Sequence, residues 1–96
     1  MPTPSQFTKD PDAVLDWVFD WREDGWLPEE DSISSADVLV NPTNGINVDS
    51  VVHDDDKVTF FLSGGVANTT SEVTCRINTS EGRTDDRTIR INIRER

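Results

Sequence analysis

Val73-Thr74-Cys75-Arg76-Ile77-Asn78 (residues 73–78) and Ile89-Arg90-Ile91-Asn92-Ile93-Arg94 (residues 89–94) set apolar and polar side chains in strict alternation. Successive side chains of a β-strand point to opposite faces, so a period of two marks two half-buried strands. The apolar positions are odd-numbered in both segments, which fixes the parity of their pairing. Opposed residues must have numbers with an even sum, and the connection must hold an odd number of residues. A three-residue loop at Glu81-Gly82-Arg83 meets that condition, and so does a five-residue loop over 81–85. A slip by one residue would turn three isoleucines into water, so the register is predicted to be firm.

The same reasoning extends upstream. Ile46, Val48 and Val52 are expected on one face of a strand, and Val58, Phe60 and Leu62 on one face of the next. Setting Val52 opposite Val58 leaves a five-residue connection from His53 to Lys57, an ordinary hairpin length. Residues 32–40 read as a further strand with modest alternation, and Asn41-Pro42-Thr43-Asn44-Gly45 as a loop whose Asn-Gly tolerates positive φ.

Residues 14–21, Val-Leu-Asp-Trp-Val-Phe-Asp-Trp, fit two periods. A period of two puts Leu15, Trp17, Phe19 and Trp21 on one face, with Asp16 and Asp20 on the other. A period of 3.6 gives a stripe of Val14, Trp17, Val18 and Trp21, with Asp10-Pro11 resembling a helix start. The density of aromatic and β-branched residues favours the strand. After Glu23-Asp24-Gly25, an apolar corner follows at Trp26-Leu27-Pro28. Six principal strands at short spacing, with turn signals between them, predict a β-sandwich or small barrel.

Residues 1–12 carry three prolines and little apolar content, and read as an extended N-terminal arm ahead of a domain spanning 13–96. Phe7 is its natural anchor. Such an arm is either disordered or ordered by a partner.

The 96 residues suffice for one small core. Nineteen acidic against nine basic residues give a net charge of −10, so the chain is expected not to bind nucleic acid. No apolar run is long enough to span a membrane, and the start does not read as a signal peptide. The charge is unevenly placed. Residues 1–75 hold fifteen acids and three bases, whereas residues 76–96 hold four acids and six arginines. An acidic body with a basic C-terminal segment can orient electrostatically against a neighbour. Arginine forks also suit interfaces, so Arg76, Arg90, Arg94 and Arg96 join Phe7 and Lys9 as candidate partner contacts. Arg76 enters the same patch if it pairs with residue 88 or 90. Self-association, with arginines of one copy meeting the acidic face of another, is then an option. The alternative is that these arginines decorate a solvated strand face.

Catalytic chemistry finds no footing. The single histidine, His53, lies in a charged hairpin loop, and the single cysteine, Cys75, takes an inward strand position where a thiol packs as a small hydrophobe. Asp54-Asp55-Asp56 and Asp85-Asp86 invite a calcium reading, but the spacing lacks the alternating ligands of an EF-hand, so both read as solvated loops. No metal, cofactor or catalytic residue is expected. Trp17 and Trp21 are expected to fill the core and Trp26 to close one end, with an aromatic binding patch as the alternative.

Residues 7–21, Phe-Thr-Lys-Asp-Pro-Asp-Ala-Val-Leu-Asp-Trp-Val-Phe-Asp-Trp, resemble the opening of small tailed-phage virion proteins. Further matching segments are Trp26-Leu27, Leu62-Ser63-Gly64-Gly65, Val73-Thr74-Cys75-Arg76 and the stretch from Gly82 to Arg96. The group includes fibre–tail adaptors and capsid-associated proteins and is similar to immunoglobulin-like sandwiches. The resemblance implies an all-β fold, a small immunoglobulin-like antiparallel β-sandwich of about six to seven strands. It also implies a non-enzymatic virion component made in the host cytoplasm. The unusually acidic middle, at Glu29-Glu30-Asp31 and Asp54 to Asp56, departs from the group.

Three functions follow as expectations. The first is a decoration protein bound to the outside of the assembled capsid, with the major capsid protein as partner. Binding only the assembled lattice would stabilise it by mass action. The second is an adaptor joining a fibre to the tail, or head to tail, through other virion proteins. The third is an acidic secreted sandwich that binds carbohydrate or calcium.

Overall fold

A computed structural model describes residues 5–23 and 25–95. Seven strands form: β1 (Ser5–Lys9), β2 (Leu15–Asp20), β3 (Ile33–Asn41), β4 (Ile46–His53), β5 (Lys57–Gly64), β6 (Thr69–Thr79) and β7 (Thr84–Ile93). They make two sheets, one of four strands in the order β1-β7-β6-β3 and one of three in the order β2-β5-β4. The protein is thus an all-β sandwich, and residues 14–21 follow the period of two. Leu15, Trp17 and Phe19 oppose Leu62, Phe60 and Val58 across β2 and β5.

Residues 1–4 of the predicted arm lie outside the described residues, and its described part does not stand apart from the sandwich. Its residues Ser5–Lys9 are β1, the outer strand of the larger sheet, and β1 runs parallel to β7. The expected all-antiparallel pattern is therefore broken at this one pair. Phe7 lies opposite Ile91 in register and meets Trp17 of the other sheet edge to face, with ring centroids 6.0 Å apart. One aromatic contact thus joins the two layers along the β1/β2 side.

The β6–β7 hairpin keeps the parity that the alternation demands. Val73 opposes Ile89 and Ser71 opposes Ile91, with no irregularity along ten pairs. Its connection lies one position earlier than expected: the Thr79 N–H donates to the Arg83 carbonyl at 2.8 Å, leaving Ser80-Glu81-Gly82 as the loop. Asp85 and Asp86 accordingly belong to β7 and not to a loop.

The β4–β5 hairpin corrects the expectation more strongly. Ile46 and Val48 follow the predicted register against Gly64 and Leu62, and a bulge at Asp49 then shifts it by one. A bulge sets two residues against one and reverses the facing of everything beyond it. Val51 therefore opposes the buried Phe60, and Val52, expected inside, is 64% exposed. Only Asp54–Asp56 separate the strands. The Asp54 carboxylate accepts from the backbone N–H groups of Asp56 and Lys57, which close the turn and hold its carboxyl below the usual carboxylate range.

The core has two parts. Ile46, Phe60, Leu62, Val73, Ile89, Ile91 and Ile93 pack at the Gly64 end, and Trp21, Leu27, Ile33, Val58, Cys75 and Ile77 at the other. Cys75 is fully buried, and burial, reinforced by the nearby Asp37 and Asp86 charges, pushes its thiol up to about 12. A neutral, enclosed thiol is a poor nucleophile. A disulfide-exchange reagent at pH 8 is expected to label native Cys75 at least about a thousandfold more slowly than the urea-unfolded chain. Labelling of the native protein at the unfolded rate would place Cys75 at the surface.

Candidate functional site

The residues expected to contact a partner end up in three different environments. Phe7 is 40% exposed at the side of the sandwich. Lys9 is fully buried, which removes it from any contact surface: its Nζ donates to the Gly64 carbonyl at 2.7 Å and the Asp10 carbonyl at 2.9 Å. Burial lowers its pKa, against the opposing pull of the Asp10, Asp12 and Asp49 charges. Gly64 itself has to be glycine, because its φ is +75° and a Cβ there would lie 2.6 Å from the Gly45 carbonyl oxygen. Arg96 lies outside the described residues.

The arginines are engaged within the chain. Arg76 opposes Asp86, not residue 88 or 90, and grips it with two hydrogen bonds of 2.7 and 3.0 Å. Arg90 opposes Glu72 with 3.9 Å between their charged groups, and Arg94 reaches the Asn68 side-chain oxygen at 3.3 Å. Two register pairs of opposite polarity thus stand four residues apart on each strand, roughly 13 Å. The outer face of the larger sheet is a chequer of paired signs, with the hydroxyl bridge from Thr74 to Thr88 between them. No single-sign arginine patch forms from Arg76, Arg90 and Arg94.

Two further arginines hold the acidic loops. The Asp31 carboxylate, which is buried, accepts from the Ser32 N–H, the Ser80 hydroxyl, the Glu81 N–H and, at 2.7 Å, Arg83. Arg87 stacks over the Trp21 ring at 4.7 Å and donates to the Asp20 carbonyl. Asp85 accepts the Trp21 indole N–H at 2.9 Å. Among the described residues no group of three or more His, Cys, Asp or Glu side chains could hold a metal ion, and no helix is long and apolar enough to cross a membrane.

Several exposed apolar residues share the outer face of β2-β5-β4, which the sequence reading did not single out. Val18, Thr59 and Val52 form one cross-strand row, and Asp16, Phe61 and Ser50 the next. Val18 is 53% and Phe61 39% exposed. Asp49, left without a register partner by the bulge, accepts from the Ser63 hydroxyl on the same side. Two of these apolar residues left a trace in the sequence: Val18 sits on the aspartate face of its strand, and Phe61 follows the inward Phe60. Val52 left none, because only the bulge turns it outward. On the other sheet, a shallow groove is lined by Asp37, Val38, Leu39, Thr74 and Arg76.

No curated protein matches the chain. A protein-family model, the podophage GP4 fiber-tail adaptor protein gp77, matches residues 9–92, from the buried Lys9 through all of the strands after β1 to the penultimate residue of β7. With nearly the whole sandwich covered, the chain belongs to this family of tailed-phage virion structural proteins.

Proposed function

We propose that the protein is a non-enzymatic adaptor that joins a fibre to the tail of a podophage particle. The match of residues 9–92 to the fibre–tail adaptor family carries this reading and favours it over a shell decoration protein. The architecture suits the task. A rigid two-layer sandwich offers two separate outer faces, one of paired charges and threonines and the other apolar with aspartates, so two different neighbours can be held at once. Its partners are then other virion proteins at the tail, and the major capsid protein is not required as one.

Copy number tests the reading. Quantitative protein analysis of purified particles is expected to give a few to about a dozen copies, as an assembly around one tail axis requires. One copy for every few capsid subunits would put the chain on the shell and return the decoration reading.

A further inference from the structure

We infer that the outer face of β2-β5-β4 is a docking surface for a virion protein whose contact surface is apolar at its centre and basic at its rim. The inference deepens the adaptor reading and rests on it for the partner being a virion protein. Val18 and Val52 flank Thr59 in one row of this sheet face and Phe61 stands diagonal to both in the next, close enough for its ring to join them in one exposed apolar strip. Clustered apolar exposure on a small soluble domain marks an interaction surface more often than scattered residues do. Exposed Asp16 and Asp49 flank the strip on opposite edge strands.

Charge decides the occupant. Every lysine and arginine among the described residues already has a partner within the chain. Lys9 is bound to carbonyl groups, Arg94 to Asn68, and Arg22, Lys57, Arg76, Arg83, Arg87 and Arg90 to carboxylates. From its described residues a second copy could offer cations to this face only by giving them up from its own pairs. Carboxylates are in large excess over cations, with the chain at −10, so the long-range field repels another copy and attracts a basic surface. A partner bearing Lys or Arg around an apolar centre satisfies both the strip and its rim, and its approach is accelerated at low salt.

The test uses particles purified from a phage carrying an amber codon in this gene, incubated with purified wild-type or variant chain and then sedimented. Wild-type protein is expected to bind, with affinity falling as salt rises. Val18→Lys combined with Val52→Lys is expected to weaken binding at least about tenfold with little change in Tm, and Val66→Lys, at an exposed position in the β5–β6 connection away from both sheet faces, to leave it unaltered. Should the double variant fold poorly, the exposed Asp16→Lys is expected to weaken binding and flatten its salt dependence. If wild-type and face variants bind alike, the face is not the docking surface, while the adaptor reading stands. If wild-type protein fails to bind such particles at all, both readings fall. If the free chain self-associates and the same variants dissociate it, a second copy occupies the face and the inference is overturned.

Discussion

Trp21→Ala is expected to cost about 3–5 kcal/mol, a large share of the stability of a domain this small. Trp21 is fully buried and is the largest side chain in its half of the core, packed with Leu27, Ile33, Val58, Cys75 and Ile77. It does three jobs in one place. Its ring fills the space between the sheets, its N–H satisfies Asp85, and its face carries Arg87. Its backbone also ties β2 to both neighbouring loops, through the Asp56 carbonyl and the Leu27 N–H. Truncation leaves a cavity, and it strips a charge-assisted hydrogen bond and a cation–π contact from two half-buried charged groups. Trp21→Phe keeps most of the packing and loses the N–H, so about 1–2 kcal/mol is expected for it. Urea unfolding followed by circular dichroism separates the two. An alanine variant within about 1 kcal/mol of wild type would mean that Trp21 does not occupy the core.

Asp31→Asn is expected to lower Tm by roughly 10–20 °C at neutral pH and to make stability less sensitive to acid. Burial by itself would raise the Asp31 pKa, but hydrogen bonds from Thr79, Arg83, Ser32 and Glu81 more than offset this and hold its carboxyl well below the usual carboxylate range. The sign follows from linkage. The unfolded chain binds the Asp31 proton at a higher pH than the folded one, so stability from this group is complete above the unfolded pKa. It is lost as pH falls through that value towards the folded one. The amide cannot accept at both former oxygen positions, and its NH2 would face the Arg83 guanidinium. Thermal melts from pH 7 down to about pH 2 are expected to show a steep acid loss for wild type and a shallower one for the variant. Some slope persists, because hydrogen bonds to Asp54 and Asp86 also depress their pKa values. Parallel pH profiles for the two proteins would show that Asp31 is not a buried anion in the native state.

The two predictions concern the same end of the sandwich, where three arginines are held within the chain. Arg83 and Arg87 close the loops around Asp31 and Trp21, and Arg22 donates to the Asp31 carbonyl from the other side. The basic C-terminal segment therefore neutralises the chain's own acidic loops. The chain as a whole keeps an excess of negative charge, and the apolar face of β2-β5-β4 lies within that anionic field.

Much of this was legible before any coordinates. A period of two is local, so the alternation at 14–21, 46–48, 58–62, 73–78 and 89–94 could be read from neighbouring residues alone, as could the buried setting of Cys75. Parity extended that reading to the β6–β7 pairing, because one misplaced register would expose three isoleucines. The tertiary structure decided the rest, wherever a side chain's fate depends on a distant group. Lys9 is drawn inside by a carbonyl 55 positions away, and Asp31 by a guanidinium 52 positions away. Phe7 and its strand join the sheet through β7, at the far end of the chain. The bulge at Asp49 leaves no mark in a stretch where Val51 and Val52 are both apolar, yet it sets Val51, still 36% exposed, on the Phe60 side and turns Val52 outward beside Phe61. Alternation along a strand records which residues share a face. Where a charge is neutralised, and which apolar residue is left outside, is settled only when strands distant in sequence are brought together.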